Sequence, residues 1–132
     1  PNLTTQTSYN QSNNAALTSL NLQALTTQGA YNQFGNPSLV SISLPNLTTQ
    51  TSYNQSNNAA LTSFTANLLT SQTDGNQATN TVLASITTPL LTGLGKNNYV
   101  GCTYNILTIN VDASLFGAAD ILLAQAGGAT II

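Results

Sequence analysis

Few side chains in this chain can do acid–base, nucleophilic or metal chemistry: Asp74, Asp112, Asp120, Lys96 and Cys102. Asp112 and Asp120 are the one pair of carboxylates whose spacing suggests general acid–base work or a hard-cation site. Ser–His and Cys–His nucleophiles lack their base, because the chain has no His. Zinc sites built from Cys and His fail for the same reason, with a single Cys present. One Lys and no Arg cannot displace the counterions of a phosphate backbone, so a nucleic-acid surface is excluded. A polysaccharide lyase would need cation and base groups that Lys96 alone does not supply. Cys102 reads as a small packed residue, since no cation nearby in sequence would stabilise its thiolate. We therefore expect no enzyme, no cofactor and no metal.

The side chains that remain are neutral and hydrogen-bonding. Charged residues make up 3% of the 132 residues, against roughly 25% in an average soluble domain. Residues 1–73 contain none. With a net charge of −2, disorder driven by charge is not the reading. Abundant Thr, Asn, Ser and Gln beside Leu and Ile describe a chain that stacks into β-sheets. No apolar run approaches the ~18 residues of a membrane-spanning helix. With no initiator Met and no signal-peptide pattern, Pro1 reads as the start of a processed chain or of a fragment.

Position follows from a repeat. Residues 1–19 recur unchanged at 45–63, and a weaker relative occupies 25–44. Rows of 22 fill the chain six times without remainder, at 1–22, 23–44, 45–66, 67–88, 89–110 and 111–132. Leu3, Leu25, Leu47, Leu69 and Leu91 then align, as do Gln6, Gln28, Gln50 and Gln72. Asn10, Asn32, Asn54, Asn76 and Asn98 form a further column that ends at Asp120, whose carboxylate can accept the last amide. Asn14, Asn36, Asn58 and Asn80 form another; Leu17, Leu39, Leu61 and Leu83 align, and Leu20, Ile42, Phe64 and Ile86 close the apolar set. A fixed period of this length means a solenoid or an array.

Each row holds two extended segments, one from the leading Leu to Tyr9 or Tyr31 and one over Ala15–Leu22 or Ser38–Leu44, joined through Asn-rich turn chemistry. We expect an all-β, single-domain parallel β-solenoid of about six coils, with like residues stacked at roughly 4.8 Å. Leu then builds an apolar spine, and each buried amide finds its partner one coil away. Leu17 and Leu20, three apart, require either a bend near Ser19 or one leucine pointing outward. The adjacent Thr4–Thr5 pairs should place one Thr of each inward, which weakens a flat ice-ordering Thr array. Ile106, Ile109 and Val111 lie 23 residues beyond Leu83, Ile86 and Thr88, which suggests a one-residue bulge. Asn2, Asn10, Asn46 and Asn54 are glycosylation sequons; the ladder accounts for Asn10 and Asn54, leaving Asn2 and Asn46 as candidates. The Tyr9, Tyr31 and Tyr53 column reads as a structural ladder, with a carbohydrate-binding strip as its alternative.

Rows of this form resemble the curlin repeats of bacterial curli fibres. The nearest stretches are Gln28-Gly29-Ala30-Tyr31-Asn32 and Gln72-Thr73-Asp74-Gly75-Asn76-Gln77-Ala78. The Gln-to-Asn step is four here where the family has about five, and most rows lack the turn glycine. The resemblance implies a secreted or cell-surface subunit of a functional-amyloid-like, biofilm-matrix fibre. Neither terminal row defends its strand edge with charge: row one offers Leu3 and Thr5, row six offers Ile121, Leu122, Ile131 and Ile132. We therefore expect head-to-tail homopolymerisation, row six on row one. The other class is a solenoid binding module or adhesin stalk presenting its Thr and Tyr columns to glycan or ice.

Overall fold

The computed structural model describes residues 3–132. The 22-residue rows stack through two all-parallel sheets. The first contains β1 (Thr5–Gln6), β3 (Thr27–Gln28), β5 (Thr49–Gln50), β7 (Ser71–Gln72) and β9 (Gly93–Leu94) in that order. The second runs from β2 (Ser19–Asn21) through β4 (Ser41–Ser43), β6 (Ser63–Thr65), β8 (Ser85–Thr88) and β10 (Thr108–Val111) to β11 (Thr130–Ile131). Registers such as Gln6↔Gln28 and Leu20↔Ile42 are the 22-residue period seen in space. Parallel strands joined this way, row on row, make a solenoid-like stack. Pro1 and Asn2 lie outside the described residues, and with them the Asn2 sequon.

The strands are shorter than the extended segments expected from sequence, because the backbone turns four times in each row, the last turn closed by bonds such as Leu25 N–H on the Leu22 carbonyl and Leu47 N–H on the Leu44 carbonyl. Tyr9, Tyr31, Tyr53, Gly75 and Asn97 have φ of 62, 58, 58, 67 and 60°. Asn13, Gly35, Asn57, Thr79 and Gly101 repeat the left-handed conformation four residues later. Gly and Asn suit such positions; Tyr and Thr do not. Between these corners the rows are joined by backbone bonds: the N–H groups of Tyr9, Gln11 and Asn13 donate to the carbonyls of Ala30, Asn32 and Phe34 at 3.2, 2.8 and 2.9 Å. The third turn is closed by Leu39 N–H on the Asn36 carbonyl, and by its equivalents at Leu61 and Leu83.

Burial decides between the two readings of Leu17 and Leu20. Leu39, Leu61 and Leu83 are buried, and so are Ile42, Phe64 and Ile86, so both columns face inward and the bend lies between them. The Thr pairs correct an expectation. Neither Thr of a pair is buried; Thr4 and Thr5 are both exposed, because a corner separates the leading Leu from the inward Gln. The Thr26, Thr48 and Thr70 hydroxyls donate back to the carbonyls of Thr4, Thr26 and Thr48 at 3.0, 2.9 and 3.1 Å.

Rows five and six depart from the pattern. Ile109 pairs with Ile86 and Val111 with Thr88, the 23-residue step read from the sequence. Ile106, however, is not the counterpart of Leu83. It is 46% exposed at the end of a 3-10 turn (Tyr104–Ile106), and Leu107 fills the core in its place. Row six was expected to offer Ile121-Leu122-Leu123 as a strand; those residues lie in α1 (Ala119–Ala126). Three alanines, two leucines and a glutamine favour helix locally, and Gly127 with Gly128 (φ 99°) ends it. Ile121 and Ala124, three apart, are buried, while Leu122 and Leu123 are exposed. No helix among the described residues is long and apolar enough to cross a membrane.

Candidate functional site

The interior combines apolar side chains with buried Asn and Gln amides. Leu25, Leu47, Leu69 and Leu91 are fully buried, as the leading-Leu column requires, and each such side chain contributes about 1.5–3 kcal/mol by leaving water. Opposite them the Asn10 column solves a problem created by the corner before it. The residue after each left-handed position has an N–H that the next row's backbone does not accept. The Asn side chain of the next row accepts it instead: Asn10 N–H on Asn32 Oδ1 at 3.2 Å, Asn32 on Asn54 at 3.0 Å, Asn54 on Asn76 at 3.1 Å and Asn76 on Asn98 at 2.8 Å. Asn98 N–H donates to the Asp120 carboxylate, so the column ends on an acid presented by the first turn of α1. The Asn14 column works alike, with N–H to Oδ1 distances of 2.7, 2.7 and 2.8 Å up to Asn80.

Beside the Asn columns lies an array that the sequence reading half missed. Gln6, Gln28, Gln50 and Gln72 were recognised; Gln11, Gln33, Gln55 and Gln77, aligned at the same period, were not. The first column donates upward: Gln28 Nε2 to Gln50 Oε1 at 2.6 Å and Gln50 Nε2 to Gln72 Oε1 at 2.8 Å. The second donates downward, from Gln77 to Gln55 at 2.9 Å, Gln55 to Gln33 at 3.0 Å and Gln33 to Gln11 at 3.1 Å. Rungs five residues apart tie them together, reciprocally at Gln50–Gln55 and Gln72–Gln77. Opposed dipoles in neighbouring columns offset one another, and every buried glutamine amide of rows two to four has a partner.

Row five ends this lattice. Leu94 follows Gln72, Tyr99 follows Gln77 and Cys102 follows Asn80, each 22 residues on. The Cys102 position was legible as the fifth member of the Asn14 column. Its thiol donates to the Gln77 carbonyl at 3.1 Å, and burial pushes its pKa up to about 11. Burial, then the nearby Asp120 and Cys102, push the Tyr99 phenol up as well. The Tyr99 hydroxyl, Gln6 Nε2, Asn36 Nδ2 and Asn98 Nδ2 are buried without a protein partner.

The chemistry-bearing residues are engaged separately. Asp112 caps the 3-10 turn Ala113–Gly117, accepting from Ser114 N–H at 2.7 Å; the Ser114 side chain first, and then this N–H, hold its carboxyl below the usual range. Asp74 accepts from Lys96 N–H at 2.8 Å. No group of three or more His, Cys, Asp or Glu among the described residues could hold a metal ion. Asn46 is exposed, and its Nδ2 donates to the Gln23 carbonyl at 2.6 Å. Of the residues expected at an association edge, Leu3, Thr5, Leu122 and Ile132 are exposed, Ile131 is half-buried in β11 and Ile121 is buried under α1. Ile121 is thereby corrected: it packs the helix against the core. Outside, the Tyr9, Tyr31 and Tyr53 rings stack with centroids 5.0 and 5.2 Å apart. No family model, no curated protein and no solved structure matches this chain.

Proposed function

We propose that this chain is a structural β-solenoid of about six coils, the last modified by α1, with no catalytic role. In this reading it is a subunit of an extracellular, cell-surface or biofilm-matrix fibre of the functional-amyloid type, assembling end to end. One observation carries it. Residues 1–19 and 45–63 are identical, yet row three lies against row two while row one shows the same face to solvent. Leu47 is fully buried and Leu3 is 47% exposed; Asn54 is buried and Asn10 is exposed. β1 and β2 each have a strand neighbour on one side only, as does β11. The joint would set β11 of one subunit beside β2 of the next, with the exposed Leu122, Leu123 and Ile132 buried in the contact. The likeness of Gln28–Asn32 and Gln72–Ala78 to curlin repeats supports the extracellular placement. Electron microscopy of purified protein should show long unbranched filaments. Leu122→Lys with Ile131→Lys should abolish them through like charges stacked at each joint, while rows one to four stay folded. Filaments forming at the normal rate in the double variant would overturn the end-to-end contact.

A second reading rests on the outward Thr pairs. Thr4–Thr5, Thr26–Thr27 and Thr48–Thr49, continued by Thr70–Ser71, form two adjacent columns free of charge. Hydroxyls bent back onto carbonyls leave methyl groups outward, a surface suited to ordering water at ice or meeting a neutral glycan. Thermal hysteresis in a monomeric preparation, lost on Thr48→Lys, would favour this reading over the fibre.

A further inference from the structure

Three of the ten left-handed positions in the two corner columns carry tyrosine, where a bulky side chain is a genuine outlier. The fold does not demand it: the same column holds Gly75 in row four and Asn97 in row five. The rings are not placed for burial either, since Tyr9 is 61% and Tyr53 38% exposed. They form a rigid strip instead. Tyr9, Tyr31 and Tyr53 stack at interplanar angles of 0 and 12°, and Phe34 meets Tyr31 edge-on with centroids 5.5 Å apart. Gly75 ends the strip, because a Cβ there would collide with the Tyr53 ring. Backbone strain kept at exposed, pre-stacked aromatics points to a surface whose side chains are used.

We propose that this strip is a self-association face, on which a second copy lays its own Tyr9–Tyr31–Tyr53 ladder about a two-fold axis through Tyr31. The inference rests on the assembly reading above and adds a lateral contact to it. The occupant follows from period and charge. A rigid ladder with rungs 5.0 and 5.2 Å apart is matched along its length by a surface of the same rung spacing, and the same chain supplies one. The two-fold sets Tyr31 against Tyr31 and Tyr9 against Tyr53. The overlap falls within residues 1–73, which carry no Asp, Glu, Lys or Arg, so no like charges meet. Asp74 and Lys96 lie beyond the last rung. Ser8, Asn13 and Asn57, in the same rows as the rings, are exposed and supply neutral hydrogen-bonding groups. An isologous contact of this kind closes on itself, so it gives dimers of subunits or pairs of filaments.

Sedimentation equilibrium over a concentration series tests this on the intact chain. Wild-type protein, freshly prepared and run before filaments grow, should show a concentration-dependent dimer. Tyr31→Asn, a residue that the same column accepts at Asn97, should keep the thermal transition and weaken dimerisation by about tenfold or more. Tyr9→Asn and Tyr53→Asn, each removing half of the two outer contacts, should weaken it too and serve if Tyr31→Asn fails to fold. Phe116→Ser, on the turn before α1, should leave the dimer unchanged. A wild-type protein monomeric at all concentrations overturns the proposal. So does a Tyr31→Asn variant that associates as tightly as wild type, which would leave the assembly reading standing through another contact. Monomeric wild type retained on insoluble neutral polysaccharide in a Tyr31-dependent way also overturns it, making the strip a glycan site. Dimers sensitive to Tyr31 without filaments in the microscope would sustain this face and sink the end-to-end fibre.

Discussion

Each buried glutamine in the middle rows is held by two or more others, and this sets what a single substitution costs. Gln50 Oε1 accepts from Gln28 and Gln55, and its Nε2 donates to Gln55 and Gln72. Gln50→Leu leaves the buried Gln28 Nε2 without an acceptor, and we expect a loss of about 2–3 kcal/mol. Gln55→Leu should cost a similar amount. The pair replaced together should cost about 1 kcal/mol less than the sum, because their mutual bonds are lost once and two leucines can pack. The chain makes a double exchange of this kind itself, at Leu94 and Tyr99. Urea unfolding of the four proteins checks this; strict additivity would show that the rungs are not coupled. Cys102 carries a second consequence. Its thiol ionises near 9.0 when unfolded and near 11 when folded, because burial disfavours the thiolate. The folded state therefore keeps a proton that the unfolded state releases, and this contribution, intact below about 9, is lost as pH rises toward 11. Tyr99 adds to the loss only from about 10 upward. Cys102→Ala should flatten the first part of the alkaline limb, and thiol reagents should label wild-type protein slowly near neutral pH until it unfolds.

At the scale of elements, α1 and the corner before the Asn column both replace backbone partners that a plain strand would supply. Ile121 anchors the helix, so Ile121→Ala should destabilise by about 2–4 kcal/mol, whereas Leu122→Ala, on the open face, should stay within about 0.5 kcal/mol. Since Asp120 accepts from Asn98, loosening α1 should speed hydrogen exchange at the Asn98 amide and leave those of Asn32 and Asn54 protected. Equal acceleration at all three would mean that the helix is not a separate cap. The 22-residue period was legible because stacked identical residues must share a column; Gln6 on Gln28 and Leu20 on Ile42 follow from it directly. The helix was not, because Ile121-Leu122-Leu123 read as a strand and the period carried that reading past the point where Ala and Gln take over. The inward Gln11 column shared the legible period, but adjacency to Asn10 disguised it: a bend lets both neighbours face inward where a strand would not. Tyrosine at a left-handed corner gave no signal, since Gly and Asn are the residues that announce such turns. The same corners made both members of each Thr pair face out.

In the whole molecule each row touches only the rows above and below it, so stability accumulates row by row, with interface terms between neighbours. Columns run through every row from one to four, which makes the rows interchangeable in kind. Removing residues 45–66 would join Leu44 to Asn67 and leave each column in place: Gln28 would meet Gln72, Asn32 would meet Asn76, Asn36 would meet Asn80 and Ile42 would meet Ile86. Tyr31 would stand next to Gly75, where Tyr53 already finds room. Such a chain should fold with the same sheets, a lower midpoint in urea and a denaturant slope reduced by about one sixth, in proportion to the surface buried. Removing half that row, residues 45–55, is a smaller deletion with a larger effect. It takes out Gln50, Asn54 and Gln55 together, so Gln28, Asn32 and Gln33 lose partners they now have in row three, and the remnant of row three, residues 56–66, enters the stack with β6 but no strand for the first sheet. That variant should lose cooperative unfolding. Circular dichroism and urea titration of both deletions decide the matter: a full-row deletion that fails to fold, or a half-row deletion that tolerates the loss equally well, would show that the rows are not the unit in which this molecule is built.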